Sequence, residues 1–407
     1  VTLDSTSPAP TCPRFPFPAT SADPLALPGA FEGLDPVTHV VLPGGEQAWL
    51  ITGYAETVRA LRETDVFERA AADGIAPYPM TAGTVLAMDG EGHRALRGLV
   101  GNAFAPAAIR RQRPEVERLT GAILDDLMSR SGPVEIQDEL AMPLTLGVIG
   151  NLLGAPEEDL PRFAAWGDLF LSTGPDRDEE NRRAITEMAA YMGAHMQRLL
   201  SDPSSSSGLI GEIGALAVER NVPMEQAVVF AAGLVIAGWE TTAAAICSFL
   251  YRLLTSTGED GTTRYRELCD RPDRIAGAVE ELMRTVPNSS WTTAQPRRAT
   301  RDVELGGVPV RAGDLVIPAI DAADRDPARF PEPGRVDFER SPNPHLGFGS
   351  GPHVCLGAPL ARLELNVVLE QLTARAPGLR LHRRPEEVPW NTATTVRRPS
   401  ELLLDLR

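Results

Sequence analysis

The stretch VFAAGLVIAGWETTAAAICSFLYRLL, residues 229–254, constrains the fold most. It is largely apolar and of helical composition, yet Glu240, Thr241 and Thr242 interrupt its middle. Its length alone would suit a membrane span. A central carboxylate with two hydroxyls needs polar partners at that depth, which points instead to a long helix buried in a large soluble protein. Gly238, with a threonine hydroxyl competing for a backbone carbonyl, is expected to loosen the helix ladder and open a groove. Taken alone, Thr241 reads more simply as a helix-interior threonine bonded to its own backbone.

The second constraint is HLGFGSGPHVCLGAPLARLEL, residues 345–365. Gly349, Gly351 and Gly357 remove the Cβ atoms that would keep main chain away from a flat ligand, and they permit the positive φ of a tight loop. Phe348 supplies an aromatic plate. After Cys355 the run LGAPLARLELNVVLEQL has helical apolar spacing, with Pro359 in the first turn, where its missing N–H costs nothing. The Cys355 sulfur is therefore expected at a helix N-terminus, whose dipole and free N–H groups favour a thiolate. The plain alternative is a buried free cysteine after a Gly-rich turn.

This string resembles the haem-binding signature of the cytochrome P450 family, F-G-x-G-x-H-x-C-x-G, at Phe348, Gly349, Gly351, His353, Cys355 and Gly357. The resemblance runs from about Ala48 to the C-terminus. It implies a mainly α fold with a smaller β region, in which haem b (heme, iron-protoporphyrin IX) is buried between a long distal helix and the proximal Cys-loop helix. Cys355 is then the axial thiolate and the metal ligand. Residues 237–241 match the family's A-G-x-E-T segment, so that Glu240 and Thr241 relay protons during dioxygen activation while Ala237 and Gly238 make room for oxygen. Glu281 and Arg284, three apart on one helix face, match a structural E-x-x-R pair completed by Arg340. His93 and Arg97, at i and i+4, match anchors of the haem propionates, with Arg297 and His353 as further anchors. Arg298 adjoins Arg297, so that assignment rests on register. For His93 and Arg97 the plain alternative is a solvated helix face.

At 407 residues, with no linker or repeat, one domain over 1–407 is the simpler reading, its first 30 residues an irregular Pro-rich segment. SDPSSSSG, residues 201–208, reads as a loop between helices. Helical patterns fill the middle of the chain; strand-like pieces cluster early, as AWLITG, and late, as VELGGVPV and DLVIPA. Cys12, Cys247, Cys269 and Cys355 contain no C-x-x-C pair, against a disulfide framework or zinc site. The N-terminal sequence has neither the charged region nor the apolar core of a signal peptide, and it lacks the anchor helix of membrane-bound relatives. A soluble, cytoplasmic enzyme of bacterial type is expected.

A net charge of −16 argues against a nucleic-acid partner. Arg110, Arg111 and Arg113 nevertheless form a local basic group suited to an acidic electron-transfer protein, or a basic patch with no partner. GSGPHV lacks the third glycine of G-x-G-x-x-G, and no nicotinamide or flavin module is visible. The resemblance therefore implies a ferredoxin with its NAD(P)H-dependent reductase. The implied activity is monooxygenation of a neutral, mostly apolar small molecule in secondary-metabolite biosynthesis. Met80, Val85, Leu86, Ile236, Trp291, Thr293 and Thr394 fall in the family's pocket-lining segments, and Trp239 is expected to pack away from the haem. The connection TVPNSSWTTAQP is a residue or two longer than is common in soluble bacterial relatives, and since the family's connection touches substrate, a reshaped pocket is the expectation. Epoxidation, oxidative cyclisation and aryl coupling remain open on the same scaffold. A haem-binding sensor or carrier is the non-enzymatic alternative.

Overall fold

The computed structural model describes residues 12–18, 21–69, 84–171, 178–202, 208–289, 295–391 and 394–407. In chain order its helices are α1 (Tyr54–Arg62), α2 (Gly90–Gly98), α3 (Pro106–Arg110), α4 (Arg113–Ser129), α5 (Met142–Leu153), α6 (Leu160–Leu171) and α7 (Asp178–Ser201). There follow α8 (Leu209–Glu219), α9 (Met224–Thr255), α10 (Arg264–Asp270), α11 (Ile275–Thr285), α12 (Ile320–Ala323) and α13 (Ala358–Arg375).

The 229–254 stretch lies inside α9, whose 32 residues span about 48 Å at ~1.5 Å per residue. It is long and apolar enough to cross a membrane, but 67% of its most apolar window is buried within the protein. α5, α7, α8, α10 and α13 all pack on it. Two close approaches need small residues. A Cβ at Gly238 would lie 2.7 Å from Ile149 Cγ1 of α5, and a Cβ at Gly167 of α6 would lie 2.5 Å from the Trp239 ring. Trp239 is thus fully buried with its indole against α6.

The sheet is assembled from distant segments. β1 (Val37–Val41), β2 (Gln47–Ile51) and β3 (Phe67–Arg69) join β5 (Arg297–Ala299) and β8 (Leu315–Pro318) in the order β1-β2-β8-β5-β3. β2 and β8 are parallel and the other pairs antiparallel. The VELGGVPV segment does not join this sheet. It folds on itself as the hairpin β6 (Val303–Leu305) and β7 (Val308–Val310), with Gly306 and Gly307 both at positive φ in the turn. A third sheet, which the strand-like pieces did not foretell, joins β4 (Val134–Glu135), β10 (Leu403–Asp405) and β9 (Arg380–Leu381). Near the N-terminus Phe15 is buried, and its N–H bonds Val41 O at 2.9 Å.

Candidate active site

Local chemistry builds the cysteine loop. Cys355 N–H donates to Phe348 O at 2.8 Å and Gly349 N–H to Leu346 O at 2.6 Å, closing a tight turn between them. Gly351 has φ +75, and a Cβ there would lie 2.7 Å from Leu61 O, so both backbone conformation and the approach of α1 require glycine. Ser350 Oγ accepts from Arg62 Nε at 2.8 Å on the same contact. Gly357, the N-cap residue of α13, has nothing within 4 Å of where a Cβ would stand, which leaves open space beside the loop. Cys355 itself is exposed. Burial of its surroundings pushes the thiol up, while the N–H groups of Gly357 and Ala358 and the Arg97 guanidinium pull it back. A coordinated metal would complete that deprotonation outright.

α2 ties this loop to α9, since it packs on α9 and Arg97 Nη2 donates to Val354 O at 2.8 Å. Along the middle of α9, Gly233 and Ala237 are exposed and Thr241 is half-buried, four residues apart on one face of a helix otherwise mostly buried. Thr241 Oγ1 donates to Ala237 O at 2.9 Å. Glu240, one position before, is buried on another face, where Oε1 accepts from Arg398 Nε at 2.8 Å. This corrects the reading of Gly238: its missing Cβ makes room for Ile149 of α5, and the open positions are Gly233 and Ala237. Ile236, expected at the pocket, packs in the hydrophobic core.

Beside the loop lies a cluster of cations. Arg297 is 0% exposed, and none of its three guanidinium nitrogens finds a hydrogen-bond partner among the described residues. Its neighbour Arg298 points outward, donating to Gly313 O, so register selects Arg297. The residue directly across the strand pair from Arg297 is Arg69, whose Nε and Nη1 are buried and equally unpartnered among the described residues. Like charges placed opposite one another are destabilising. Burial, reinforced by the other guanidinium, lowers Arg69 to about 9, and burial lowers Arg297 to about 10. Asp89, the nearby carboxylate, is already committed: Oδ2 accepts Arg69 N–H at 2.6 Å and Oδ1 bonds His353 Nε2 at 2.8 Å. The His93 ring packs against that of His353, centroids 4.1 Å apart and planes tilted by 39°, and its buried Nε2 has no partner among the described residues. Burial, with the nearby His353 and Arg97, drives His93 down to about 4. The donor set fits a flat ligand carrying two carboxylates beside a cysteine. Arg69, Asp89 and Arg398 were not singled out from sequence; their partners lie 20 to 264 residues away.

Under the loop, Glu281 and Arg284 are both fully buried and paired at 2.7 Å, and Arg340 Nε lies 3.2 Å from the same carboxylate. Asn343 and the Asp337 N–H complete its shell, and Arg284 also donates to three carbonyls, of Asp324, Pro333 and Arg335. Of the remaining pocket candidates, Val85 is half-buried and Leu86 is 43% exposed. Thr394 Oγ1 donates to Val396 O. Met80, Trp291 and Thr293 lie outside the described residues.

Cytochrome P450 is the family model that matches residues 275–375. Mycinamicin IV hydroxylase/epoxidase of Micromonospora griseorubida is 38% identical over 94% of this chain and 99% of its own. Nocardicin C N-oxygenase of Nocardia uniformis subsp. tsuyamanensis is 37% identical over 93% and 96%. The LnmA cytochrome P450 hydroxylase of Streptomyces atroolivaceus superposes with a TM-score of 0.87 at 34% identity, covering 96% of this chain and 99% of that one. With this fold and these relatives, the chain belongs to the cytochrome P450 family. It is a P450 monooxygenase that uses haem with a cysteine thiolate ligand, of a bacterial class that generally draws on redox partners.

Proposed function

We propose that Cys355 is the thiolate, that Arg69, His93, Arg97, Arg297 and His353 hold the propionates, and that Glu240 and Thr241 carry protons into the groove along α9. The pairing of Arg69 with Arg297 carries this reading. Two buried guanidiniums opposite one another, with the adjacent carboxylate already engaged, call for a dianion between them. When bound, the haem supplies the iron at which dioxygen is activated. The chain's own part is placement. Gly357 leaves the loop open, Gly233 and Ala237 keep the distal face clear, and the Thr241 hydroxyl, now held on Ala237 O, is free to rotate its proton toward the groove.

The substrate in this reading is a neutral, mostly apolar secondary metabolite. Support comes from uncharged residues at Val85, Leu86, Gly233, Ala237 and Thr394, and from relatives named for mycinamicin and nocardicin oxidation. Electrons come from a ferredoxin and its NAD(P)H-dependent reductase in the cytoplasm. Arg110, the last residue of α3, and Arg111, which caps it, are exposed, and α3 packs on α13, whereas Arg113 is already paired with Glu117 and Glu370.

The test is the reduced-plus-CO difference spectrum of the purified protein, followed by a library screen for the ferric low-to-high-spin shift. A thiolate-type band that Cys355→Ser abolishes, with hits from one apolar chemical class, is expected. A band retained by Cys355→Ser, or one typical of histidine ligation, overturns the assignment.

A further inference from the structure

We infer that Arg362 and Glu280 form a charge-balanced clamp on Phe348 that sets the reduction potential of the Cys355-ligated haem, an inference that rests on Cys355 being the ligand.

The Arg362 guanidinium carbon lies 4.4 Å from the centroid of the Phe348 ring, well inside cation–π range. Phe348 in turn accepts the Cys355 N–H through its carbonyl at 2.8 Å. Arg362 is held there by a two-point bond to Glu280, Nε to Oε1 at 2.6 Å and Nη2 to Oε2 at 2.8 Å. Such fork-to-carboxylate pairing fixes the plane of the guanidinium as well as its position.

The same carboxylate controls the backbone. His345 Nδ1 accepts the Gly347 N–H at 3.2 Å, which leaves Nε2 carrying the proton it donates to Glu280 Oε2 at 2.9 Å. His345 therefore ties the main chain just before Phe348 to the group that holds a cation over its ring. Helix α11 contributes Glu280, α13 contributes Arg362, and the cysteine loop contributes His345 and Phe348. Burial pushes the Glu280 carboxyl up, but the bonds from His345 and Arg362 outweigh it and hold the group at about 2. The clamp thus carries one positive and one negative charge, with the Arg362 charge set over the ring of the residue whose carbonyl accepts the Cys355 N–H.

Reduction of ferric to ferrous haem adds one electron and no proton, so any net charge beside the thiolate shifts the equilibrium. Arg362→Leu leaves Glu280 alone and disfavours the added electron. Glu280→Gln leaves Arg362 alone and favours it. A clamp with only a packing role would move both variants the same way.

The measurement is spectroelectrochemical titration of the haem-loaded protein without substrate, on wild type, Arg362→Leu, Glu280→Gln and the double variant. Arg362→Leu is expected to lower the midpoint potential and Glu280→Gln to raise it, each by at least a threefold change in the ferric/ferrous ratio at fixed potential. The double variant should return close to wild type although the clamp is gone. Shifts of one sign, or none, overturn the inference. Should Arg362→Leu fail to take up haem, Arg362→Lys keeps the charge while losing the fork and should hold the potential near wild type. The wild-type reduced-plus-CO band, read in the same samples, tests the thiolate assignment separately.

Discussion

Arg398 Nε lies 2.8 Å from Glu240 Oε1, joining the C-terminal segment to the middle of α9 across 158 positions of sequence. Both side chains are almost wholly buried, 8% and 1% exposed. Breaking a buried pair from one side is far more costly than replacing both partners, because one charge is left in a low-dielectric interior. Arg398→Leu is therefore expected to destabilise the protein by about 3–5 kcal/mol, with Arg398→Leu/Glu240→Gln recovering part of that loss. Urea denaturation of the single and double variants checks it. A double variant no more stable than Arg398→Leu would show that the pair is not what holds the two segments together.

Arg69 and Arg297 should respond with opposite signs in the two forms of the protein. Without ligand, each buried guanidinium opposes the other across the strand pair, so Arg69→Leu should raise the unfolding midpoint of the apoprotein. With haem, the same change removes a charge-assisted hydrogen bond worth about 1.5–3 kcal/mol, and haem transfer to an acceptor globin should quicken by roughly tenfold or more, since ~1.4 kcal/mol is a factor of ten. Equal transfer rates would take Arg69 out of the ligand's shell.

What could be read from sequence follows from how local each feature is. The cysteine loop, the His93–Arg97 pair and the Glu281–Arg284 pair sit within one turn or one helix, so spacing alone placed their members together. Arg69 and Arg398 were illegible because each gains its meaning from a partner brought in by tertiary structure. Asp89 lies four positions before His93, but nothing local marks it as the group joining β3 to His353. Gly238 shows a different limit. A glycine in a helix announces a close approach, while the identity of what approaches depends on which face it occupies and on the neighbour there, here Ile149.

Glu280 should give the protein an acid-sensitive component of stability. A free glutamate titrates near 4.5 and this one is held at about 2. Between those values the unfolded chain binds more protons than the folded one, so this contribution is complete above pH 4.5 and is lost as pH falls toward 2. Denaturant midpoints measured through that window should fall less steeply in Glu280→Gln than in wild type. Parallel slopes would mean that the carboxylate has no special stabilisation in the fold.

Two glycines of α9, five residues apart, should separate packing from substrate recognition. A Cβ at Gly238 meets Ile149 at 2.7 Å, and forcing extra volume into a packed contact costs about 1–3 kcal/mol. A Cβ at Gly233 meets nothing within 4 Å, and alanine is favoured over glycine in a helix by roughly 1 kcal/mol. Gly238→Ala should therefore lower the thermal midpoint, whereas Gly233→Ala should hold or raise it. Binding should follow the reverse order. Gly233 lies on the open face with Ala237 and Thr241, so its added methyl should reach into the substrate space proposed there and shift the concentration needed for the ferric spin-state change. Should Gly238→Ala alter that titration while leaving stability intact, with Gly233→Ala silent in both, the two faces of α9 would have to be exchanged.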